Sequence, residues 1–457
     1  MPRSAPPLLS AALVVCLNAL AAPPTLKVAA FRADATPALG EPNIWVQPVT
    51  SVLDPLFAKG ILLDDGRLRY VVAAIDWCGI GGATHLMLRQ RIAAAAGTSP
   101  DLVALQSVHQ HAAPYVDGDA YALLAAHNFN ALRMSDAYLE QLASNLHRAV
   151  REATTKLEPF DHIGTARTRV LEVGSARRIL KDGKILVRYS STAKAPELAA
   201  MPEGDIDPDL RTITLARGSR PLVRLHYYAS HPQTFCCDGR VSSDFVGDAR
   251  ERIERDQQIP QIYFNGCGGD VTVGKYNQGQ PAQRAALAGR LYAAMKAAPA
   301  NTRLEPLNTI DWRSADLRLP VRKDLPDLAR SADGQPVYHD AITVAFAQRT
   351  RPLPASALLL GDVVILHLPG EPLLEFQRFA QSTGAPKFVA VAGYGDISPG
   401  YLCPDIAFQQ GGYEPSASNA APGTEARVKE IIRQLIRVHP RPSAAHAFPP
   451  KDSNHVN

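Results

Sequence analysis

The chain has 457 residues, of which 46% are hydrophobic, 20% charged and 7% aromatic, with 31 glycines and 37 prolines. This composition excludes wholesale disorder, collagen-like repeats and a coiled-coil rod. The 48 basic residues slightly outnumber the 44 acidic ones, which gives a formal net charge of +4. No basic stripe with interleaved aromatic residues accompanies this excess, so we expect no nucleic-acid partner.

The N-terminus has the pattern of a secretory signal peptide. Arg3 precedes an apolar run over Leu8–Leu20, and the small residues Ala21 and Ala22 follow. The run is shorter than the ~20 residues that a bilayer span needs, which argues against the alternative of an anchor helix. We predict a signal peptide over residues 1–22 and a secreted or periplasmic protein.

Strand-like and helix-like segments alternate along the rest of the chain. In chain order, the patterns predict a strand over 69–75, a helix over 83–96, a strand over 102–108, a helix over 136–157, strands over 212–215 and 223–228, a helix over 248–256, a strand over 262–264, a helix over 283–297, a strand-like run over 357–368, a helix over 373–382, a strand over 387–391 and a helix over 424–438. The alternation predicts an α/β fold in which a mixed sheet is layered with helices.

A single large domain is predicted over residues 23–438. Residues 320–354 carry Pro, Asp and Arg with weak patterning, and we interpret them as an excursion within the domain. The tail over 439–457 is rich in Pro, His, Ser and Asn, and we predict that it is disordered.

Cysteine usage leaves the disulfide pairing open. Five cysteines follow the predicted signal peptide, namely Cys78, Cys236, Cys237, Cys267 and Cys403. Their odd number leaves at least one thiol unpaired, and their spacing does not specify which ones pair. No Cys-x-x-Cys motif occurs, which argues against a zinc ribbon.

Two histidine motifs follow predicted buried strands. His109 and His111 lie two residues apart at the end of the 102–108 strand, a spacing that directs both imidazoles to one side, as a metal site requires. His231 follows the 223–228 strand, and the proline after it ends the strand ladder. Taken alone, the first motif is better explained by two surface histidines where a strand leaves the sheet. Asp244 either caps the next helix, which we favour, or orients a ligand.

Three further motifs carry polar groups into turns. A glycine-rich loop after the 262–264 strand presents Asp270 and Thr272, and its amide groups could face a ligand oxygen, although an inert turn is the simpler reading. Glu371 lies where a strand becomes a helix, a position that favours an ionised carboxylate. Tyr401 and Tyr413 lie in Gly- and Pro-rich loops, where tyrosines usually pack on the surface. Only together do these motifs indicate a site at the ends of successive strands.

In this combination, the motifs resemble those of the neutral, or neutral/alkaline non-lysosomal, ceramidase family in its zinc-dependent catalytic domain. The matches occur in the same order along most of the chain, and each is short. The matching segments are 31–37 (the Ala-Asp-Ile-Thr opening), 109–114 (His-Thr-His-Ser-Gly-Pro), 228–234 (Phe-Ala-x-His-Pro/Gly-Thr-Ser), 243–247 (Ser-Asp-Asn-x-Gly), 269–272 (Gly-Asp-Val-Ser), 369–371 (Pro-Gly-Glu) and 413–416 (Tyr-Glu-x-x-Ser).

The resemblance implies roles for individual residues. The family's zinc ligands fall on His109, His231, Glu371 and Tyr401. Residues that contact the substrate amide fall on His111 and Tyr413, and an active-site arginine falls on Arg177 or on its neighbour Arg178.

Two departures from the family pattern affect the expected substrate. Thr272 stands where the family has its catalytic serine, so a serine nucleophile is absent, and the methyl group of threonine restricts its rotamer. The chain also ends near the expected end of the catalytic domain, which leaves no room for the family's C-terminal β-sandwich domain.

The resemblance implies an exported zinc-dependent amide hydrolase acting on ceramide or a related lipid through water activated by Zn²⁺. We cast His111 as proton shuttle, Asp270 as an orienting group, and Thr272 as a nucleophile substitute or substrate hydrogen bonder. Amide groups of the Gly266–Gly269 loop would assist the oxyanion. The expected partner is a small lipid-like amide, with a transient membrane-surface contact allowed and no oligomeric state specified. The alternatives are a zinc hydrolase of another ester or amide, and a non-catalytic paralogue that keeps the metal.

Overall fold

The structure, a computed structural model, describes residues 25–44, 47–129, 132–328 and 338–437. The predicted signal peptide (1–22) and the predicted tail (439–457) lie outside these ranges. Those two segments, and the domain limits 23–438, therefore stay predictions. Within the described residues, no helix is both long enough and apolar enough to cross a bilayer.

The α/β class with mixed sheets and helical layers is confirmed, and the strands divide among three main sheets. The first sheet has the strand order Val103–Ser107, Arg69–Ile75, Phe57–Asp64, Lys27–Asp34 and Glu158–Pro159. The second has the order Gln261–Asn265, Arg220–Tyr228, Asp209–Arg217, His162–Arg169 and Arg303–Pro306. The third has the order Asp311–Leu317, Leu353–Leu360, Val363–His367 and Phe388–Ala392.

Short strand pairs and helices complete the described fold. The pairs are Ser51–Val52 with Arg240–Val241, Gly79–Gly81 with Tyr115–Asp117, Ser175–Ala176 with Val271–Thr272, Arg178–Lys181 with Lys184–Val187, and Glu371–Pro372 with Tyr401–Leu402. The α-helices span Gly82–Ala96, Gly118–Ala126, Asp136–Thr155, Pro196–Ala200, Asp244–Gln257, Pro281–Ala297, Tyr338–Gln348, Leu374–Gly384, Asp405–Gln410, Tyr413–Ser416 and Thr424–Ile436.

Each main sheet contains one parallel strand pair, and the other strand pairings in these sheets are antiparallel. The parallel partners are Arg69–Ile75 with Val103–Ser107, Arg220–Tyr228 with Gln261–Asn265, and Val363–His367 with Phe388–Ala392. A core cluster that contains residues of all three sheets joins them. Ligand sites in α/β proteins lie at the carboxyl ends of parallel strands, so these three ends matter most for function.

Buried side-chain amides tie the three carboxyl ends together. Gln106, in the first sheet, donates from Nε2 to the carbonyl oxygens of Leu368 and Ala392, at 3.0 and 3.1 Å. Asn265, in the second sheet, donates from Nδ2 to the Val108 carbonyl at 3.2 Å. Because these groups are buried, the bonds are shielded from competing water, and the three strand ends are held in fixed positions relative to one another.

The elements that local patterns predicted are present, but several strands of the main sheets were not predicted, namely Lys27–Asp34, Phe57–Asp64, His162–Arg169 and Asp311–Leu317. The strand Arg69–Ile75 has the predicted bounds, and the helix Gly82–Ala96 ends where Gly97 adopts a left-handed conformation (φ 70°). The strand-like run over 357–368 is a hairpin instead, with its turn at Gly361 (φ 59°). Gly361 and Asp362 interrupt the apolar run, and this local turn signal was missed. The excursion over 320–354 contains the helix Tyr338–Gln348.

The cysteines divide into one pair and three free thiols among the described residues. Cys236 and Cys237 form a disulfide, and Cys78, Cys267 and Cys403 are buried and unpaired.

Candidate metal centre

Four side chains predicted as metal ligands lie near the carboxyl ends of the three parallel strand pairs, which the hydrogen bonds of Gln106 and Asn265 hold together. His109 and His231 follow parallel strands of the first and second sheets, and Glu371 follows a parallel strand of the third. Tyr401 joins through the backbone, because the segment Glu371–Pro372 pairs in parallel with Tyr401–Leu402. The carboxylate and the phenol are thus side by side although 30 residues separate them.

The predicted ligand atoms lie close together in the interior. Glu371 Oε2 is 3.0 Å from His109 Nε2 and 3.4 Å from His231 Nε2. The Tyr401 hydroxyl is 3.5 Å from His231 Nε2. All four side chains are at least nine-tenths buried, so bulk water does not solvate the cluster.

Hydrogen bonds at the outer edges of the two imidazoles set their tautomers. His109 Nδ1 lies 2.6 Å from the Cys78 carbonyl oxygen, and His231 Nδ1 lies 2.7 Å from the Gly268 carbonyl oxygen. A carbonyl only accepts, so each Nδ1 carries a proton, and in the neutral form of each imidazole Nε2 presents a lone pair. Glu371 Oε2 is buried and has no hydrogen-bond donor. Three lone pairs therefore converge, an arrangement that fits a divalent cation.

The electrostatics of the cluster require positive charge at its centre. Burial alone would raise the pKa of Glu371, but His109 and His231 hold it well below its usual range. Burial opposes charging of His109, yet the carboxylate of Glu371 raises its pKa to about 10. Burial and Arg177 lower the pKa of His231 to about 3. Without a cation, the ionised Glu371 is balanced by a second proton on His109, at Nε2, and a metal ion would replace that proton and leave the Nε2 lone pair as a ligand.

Arg177, rather than Arg178, reaches the ligands. Arg177 Nη1 donates to the Tyr401 hydroxyl at 2.9 Å, and Nη2 lies 2.8 Å from His231 Nε2. Arg178 Nη1 instead donates to Glu414 Oε2 at 2.9 Å. A cation bound at His231 Nε2 would replace the second contact, and the Arg177 guanidinium would keep its hydrogen bond to Tyr401 and its ion pair with Glu414, 3.6 Å away.

His111 and Tyr413 border the cluster. His111 Nε2 is 3.2 Å from His109 Nε2, and its Nδ1 has no hydrogen-bond partner. Burial and its cationic neighbours lower the pKa of His111 well below its usual value. The half-buried Tyr413 ring is 5.7 Å from the Tyr401 ring and 5.4 Å from the Arg177 guanidinium carbon.

The glycine-rich loop contributes Asp270 and Thr272 in different ways. Asp270 Oδ1 accepts from the Leu374 amide at 2.8 Å, and its carbonyl accepts from the Arg177 amide at 2.7 Å. It therefore fixes the helix start just after Glu371, and burial raises the pKa of its carboxyl group to about 6. The Thr272 hydroxyl accepts from the Gly274 amide at 3.3 Å and makes no hydrogen bond to a predicted ligand among the described contacts.

The expected oxyanion donors of the Gly266–Gly269 loop are already engaged, so that prediction is wrong. All four amides donate inside the protein, to the Tyr228 carbonyl, the Gln377 side chain, the Gly266 carbonyl and the Pro372 carbonyl. The loop contributes a hydrogen-bond acceptor instead, because the Gly268 carbonyl accepts from His231 Nδ1 and orients that imidazole. Glycine is needed at 269, where a Cβ atom would lie 2.8 Å from the Glu371 carbonyl oxygen.

Asp244 anchors the turn after His231. Its carboxylate accepts from the Thr234 amide and hydroxyl at 2.9 and 2.7 Å and from the Phe245 amide at 2.6 Å. Asp244 is the first residue of the helix and Ser243 holds the N-cap position without a side-chain capping bond, so the predicted capping role is wrong. The Asp244 carboxylate instead holds the segment that follows His231.

Two residues beside the cluster escaped the sequence analysis. Tyr394 stacks on His109 with ring centres 4.4 Å apart, and Cys78 Sγ lies 3.8 Å from His109 Nδ1. Both follow strands of parallel pairs, Phe388–Ala392 and Arg69–Ile75, so their position after those strands was the available signal.

A narrow cavity opens onto the cluster. The excursion helix Tyr338–Gln348 supplies His339 and Ile342 to its wall. The other lining residues are Cys78, His109, His111, Tyr115, Glu371, Gly400, Tyr401, Tyr413, Ala417 and Asn419. Among these described residues, Glu371 is the only Asp, Glu, Lys or Arg.

A buried ion pair supports the segment before Glu371 and makes stability depend on pH. Burial alone would raise the pKa of Asp396, but Arg349, 2.7 Å away, and His85 lower it to about 2. Since an unfolded aspartate titrates near ~4, ionised Asp396 stabilises the fold above that pH, and this stabilisation is lost as the pH falls from about 4 to 2. In the parent protein, the free energy of unfolding measured with urea should fall as the pH is lowered from about 4 to 2. In Asp396→Asn, we expect this fall to be smaller by about 2 kcal/mol. The control Glu140→Gln, at an exposed carboxylate, should leave the pH profile unchanged, and equal profiles for both variants would contradict the assignment.

Comparison with known proteins supports the fold. No family model and no curated sequence matches the chain. Among solved structures, neutral ceramidase from Pseudomonas aeruginosa matches with a TM-score of 0.67 and 15% sequence identity, over 90% of this chain and 74% of that one. This chain has the neutral ceramidase fold. A structure described as ceramidase complexed with C2 matches similarly, with a TM-score of 0.67 and 14% identity over 90% of this chain and 75% of the other. The resemblance predicted from the motifs is thus confirmed for the fold.

Proposed function

We propose that the protein is a zinc-dependent amide hydrolase of the ceramidase type, which cleaves the N-acyl bond of ceramide or a related neutral lipid. The observation that carries this proposal is the convergence of His109 Nε2, His231 Nε2 and Glu371 Oε2, with the Tyr401 hydroxyl beside them. Two imidazoles, a carboxylate and a phenol form a donor set suited to zinc. The N-terminal signal pattern supports a site of action outside the cytoplasm.

The bound zinc would supply a Lewis acid that polarises the scissile carbonyl and allows water to lose a proton near neutral pH. His109 and His231 are held with their Nε2 lone pairs inward by the Cys78 and Gly268 carbonyls. Arg177 donates to the Tyr401 hydroxyl and so stabilises negative charge on that phenol. These residues prepare the site before substrate enters.

His111 is the proposed proton carrier. It is neutral, because burial and neighbouring positive charge lower its pKa, and its Nδ1 is free to accept a proton. An imidazole in this position can take a proton from the attacking water and return it to the leaving amine. Tyr413 lines the cavity and is placed to hydrogen-bond the substrate amide. Asp270 acts by fixing the helix start after Glu371.

The cavity wall supports a neutral substrate over a charged one. Apart from Glu371, which we assign to the metal, the described lining has no Asp, Glu, Lys or Arg to pair with a charged headgroup. A zinc hydrolase of another ester or amide remains the alternative. One observation favours a non-catalytic paralogue. The Thr272 hydroxyl accepts a hydrogen bond from the Gly274 amide, and Thr272 does not line the cavity. Attack by water needs no serine, so we leave Thr272 out of the chemical step.

Metal analysis combined with a substrate panel tests the proposal. Purified protein is expected to hold about one zinc ion per chain, and chelation should abolish hydrolysis that added zinc restores. The panel contains ceramides, N-acyl amino acids and simple esters, with product release measured by chromatography. Turnover of N-acyl amino acids or esters alone would favour the alternative substrates. Stoichiometric zinc without turnover of any member would favour the non-catalytic paralogue.

A further inference from the structure

A thiol lies beside the predicted metal ligands and has no role in the proposed reaction. Cys78 is 1% exposed and unpaired, and it lines the same cavity as His111. Its sulfur is 3.8 Å from His109 Nδ1.

Cys78, His109 and His111 form a second set of donors. One ligand atom from each lies within 4.8 Å of the others, and the same holds for the set His109, His231 and Glu371. The two sets share His109. The hydrogen bond from His109 Nδ1 to the Cys78 carbonyl leaves only Nε2 free to bind a cation. Two cations that both used His109 Nε2 would exclude each other, so the two sets cannot be filled through this nitrogen at the same time.

The chemistry of the two sets differs. Replacing a carboxylate and a phenol by a thiolate makes the second set softer, and thiolates select thiophilic cations over harder ones. His111 Nδ1 has no hydrogen-bond partner, so its ring can turn toward the cavity without breaking a bond at that atom.

We infer that Cys78, His109 and His111 form an overlapping site for a thiophilic divalent cation such as cadmium, and that its occupancy displaces zinc. Binding forms a metal–sulfur bond, releases the thiol proton to solvent and involves no change in oxidation state. The displacement of zinc rests on the proposed function, whereas cadmium binding through Cys78 does not.

Cadmium titration of the full, zinc-loaded chain tests this inference. We expect an ultraviolet thiolate-to-cadmium absorption that saturates at about one cadmium per chain, together with zinc release to a chromophoric chelator. In Cys78→Ser, the absorption should vanish and cadmium should bind at least about tenfold more weakly. Cys403→Ser removes another buried free thiol and should behave like the parent protein. Cys78→Ala repeats the test if the serine variant folds poorly.

The outcomes separate this inference from the proposed function. Absence of the thiolate absorption in the parent protein, or its persistence in Cys78→Ser and Cys78→Ala, would overturn the site. If the purified protein binds no zinc, the proposed function fails, yet the absorption and its dependence on Cys78 still decide the cadmium site. If cadmium binds through Cys78 without releasing zinc, the competition at His109 is wrong.

Discussion

Glu371→Gln is expected to weaken zinc binding by roughly 100-fold or more and to abolish hydrolysis, because loss of a direct ligand exceeds the 10- to 100-fold effect typical of outer partners. Glutamine keeps the size of the side chain and removes only its charge. Oε2 of this carboxylate lies 3.0 Å from His109 Nε2 and 3.4 Å from His231 Nε2. Zinc affinity is measured by competition with a chromophoric chelator, and hydrolysis with the best substrate of the panel.

The matched control is Glu375→Gln, four residues along the chain. Glu375 is the second residue of the helix Leu374–Gly384, and its half-exposed side chain pairs with Lys429 at 2.7 Å. Its replacement should change zinc affinity and turnover less than twofold, since exposed ion pairs contribute little. Parent-like zinc affinity in Glu371→Gln would remove this residue from the ligand set.

Arg250→Met is expected to lower the free energy of unfolding by about 3–5 kcal/mol, because it leaves a buried carboxylate without its cation. Arg250 donates to both carboxylate oxygens of Asp76 at 2.7 Å, and both side chains are at most 1% exposed. Urea unfolding measures the loss. Adding Asp76→Asn to this variant should restore part of it, since the amide leaves no unpaired charge.

The control for this prediction is Arg91→Met. Arg91 pairs with Glu140 at 2.7 Å on the surface, where both side chains are about half exposed, so we expect a loss below about 1 kcal/mol. Equal losses of unfolding free energy in the two variants would show that the buried ion pair contributes no more to stability than the exposed one. Asp76 Oδ1 also accepts a hydrogen bond from Gln110 Nε2 at 3.0 Å, and Gln110 lies between His109 and His111 in the sequence. Arg250→Met should therefore also weaken zinc binding, whereas Arg91→Met should not.

Local sequence determined the elements and the residue types of the site. The strand Arg69–Ile75 was predicted at its observed bounds because an apolar, β-branched run specifies a buried strand without help from distant residues. For the same reason, the sequence predicted that strands precede His109, His231 and Glu371. The ordered motifs added the expected fold, and the structural comparisons confirmed it.

Long-range packing decided what those residues do. Arg177 and Arg178 are adjacent and chemically alike, and only the pairing of Ser175–Ala176 with Val271–Thr272 turns Arg177 toward Tyr401. The amides of the Gly266–Gly269 loop looked available in the sequence, yet distant carbonyl and amide oxygens already accept from them.

The sequence by itself determined that strands and helices alternate and that histidine, glutamate and tyrosine follow particular strands, because these properties depend on neighbouring residues. Only the tertiary structure decided that three separate parallel pairs meet at one point, that Cys78 and Tyr394 join them, and that the Thr272 hydroxyl bonds the Gly274 amide instead of a predicted metal ligand. These outcomes depend on hydrogen bonds between residues far apart in the chain, such as that from Gln106 to Ala392, which no local pattern encodes.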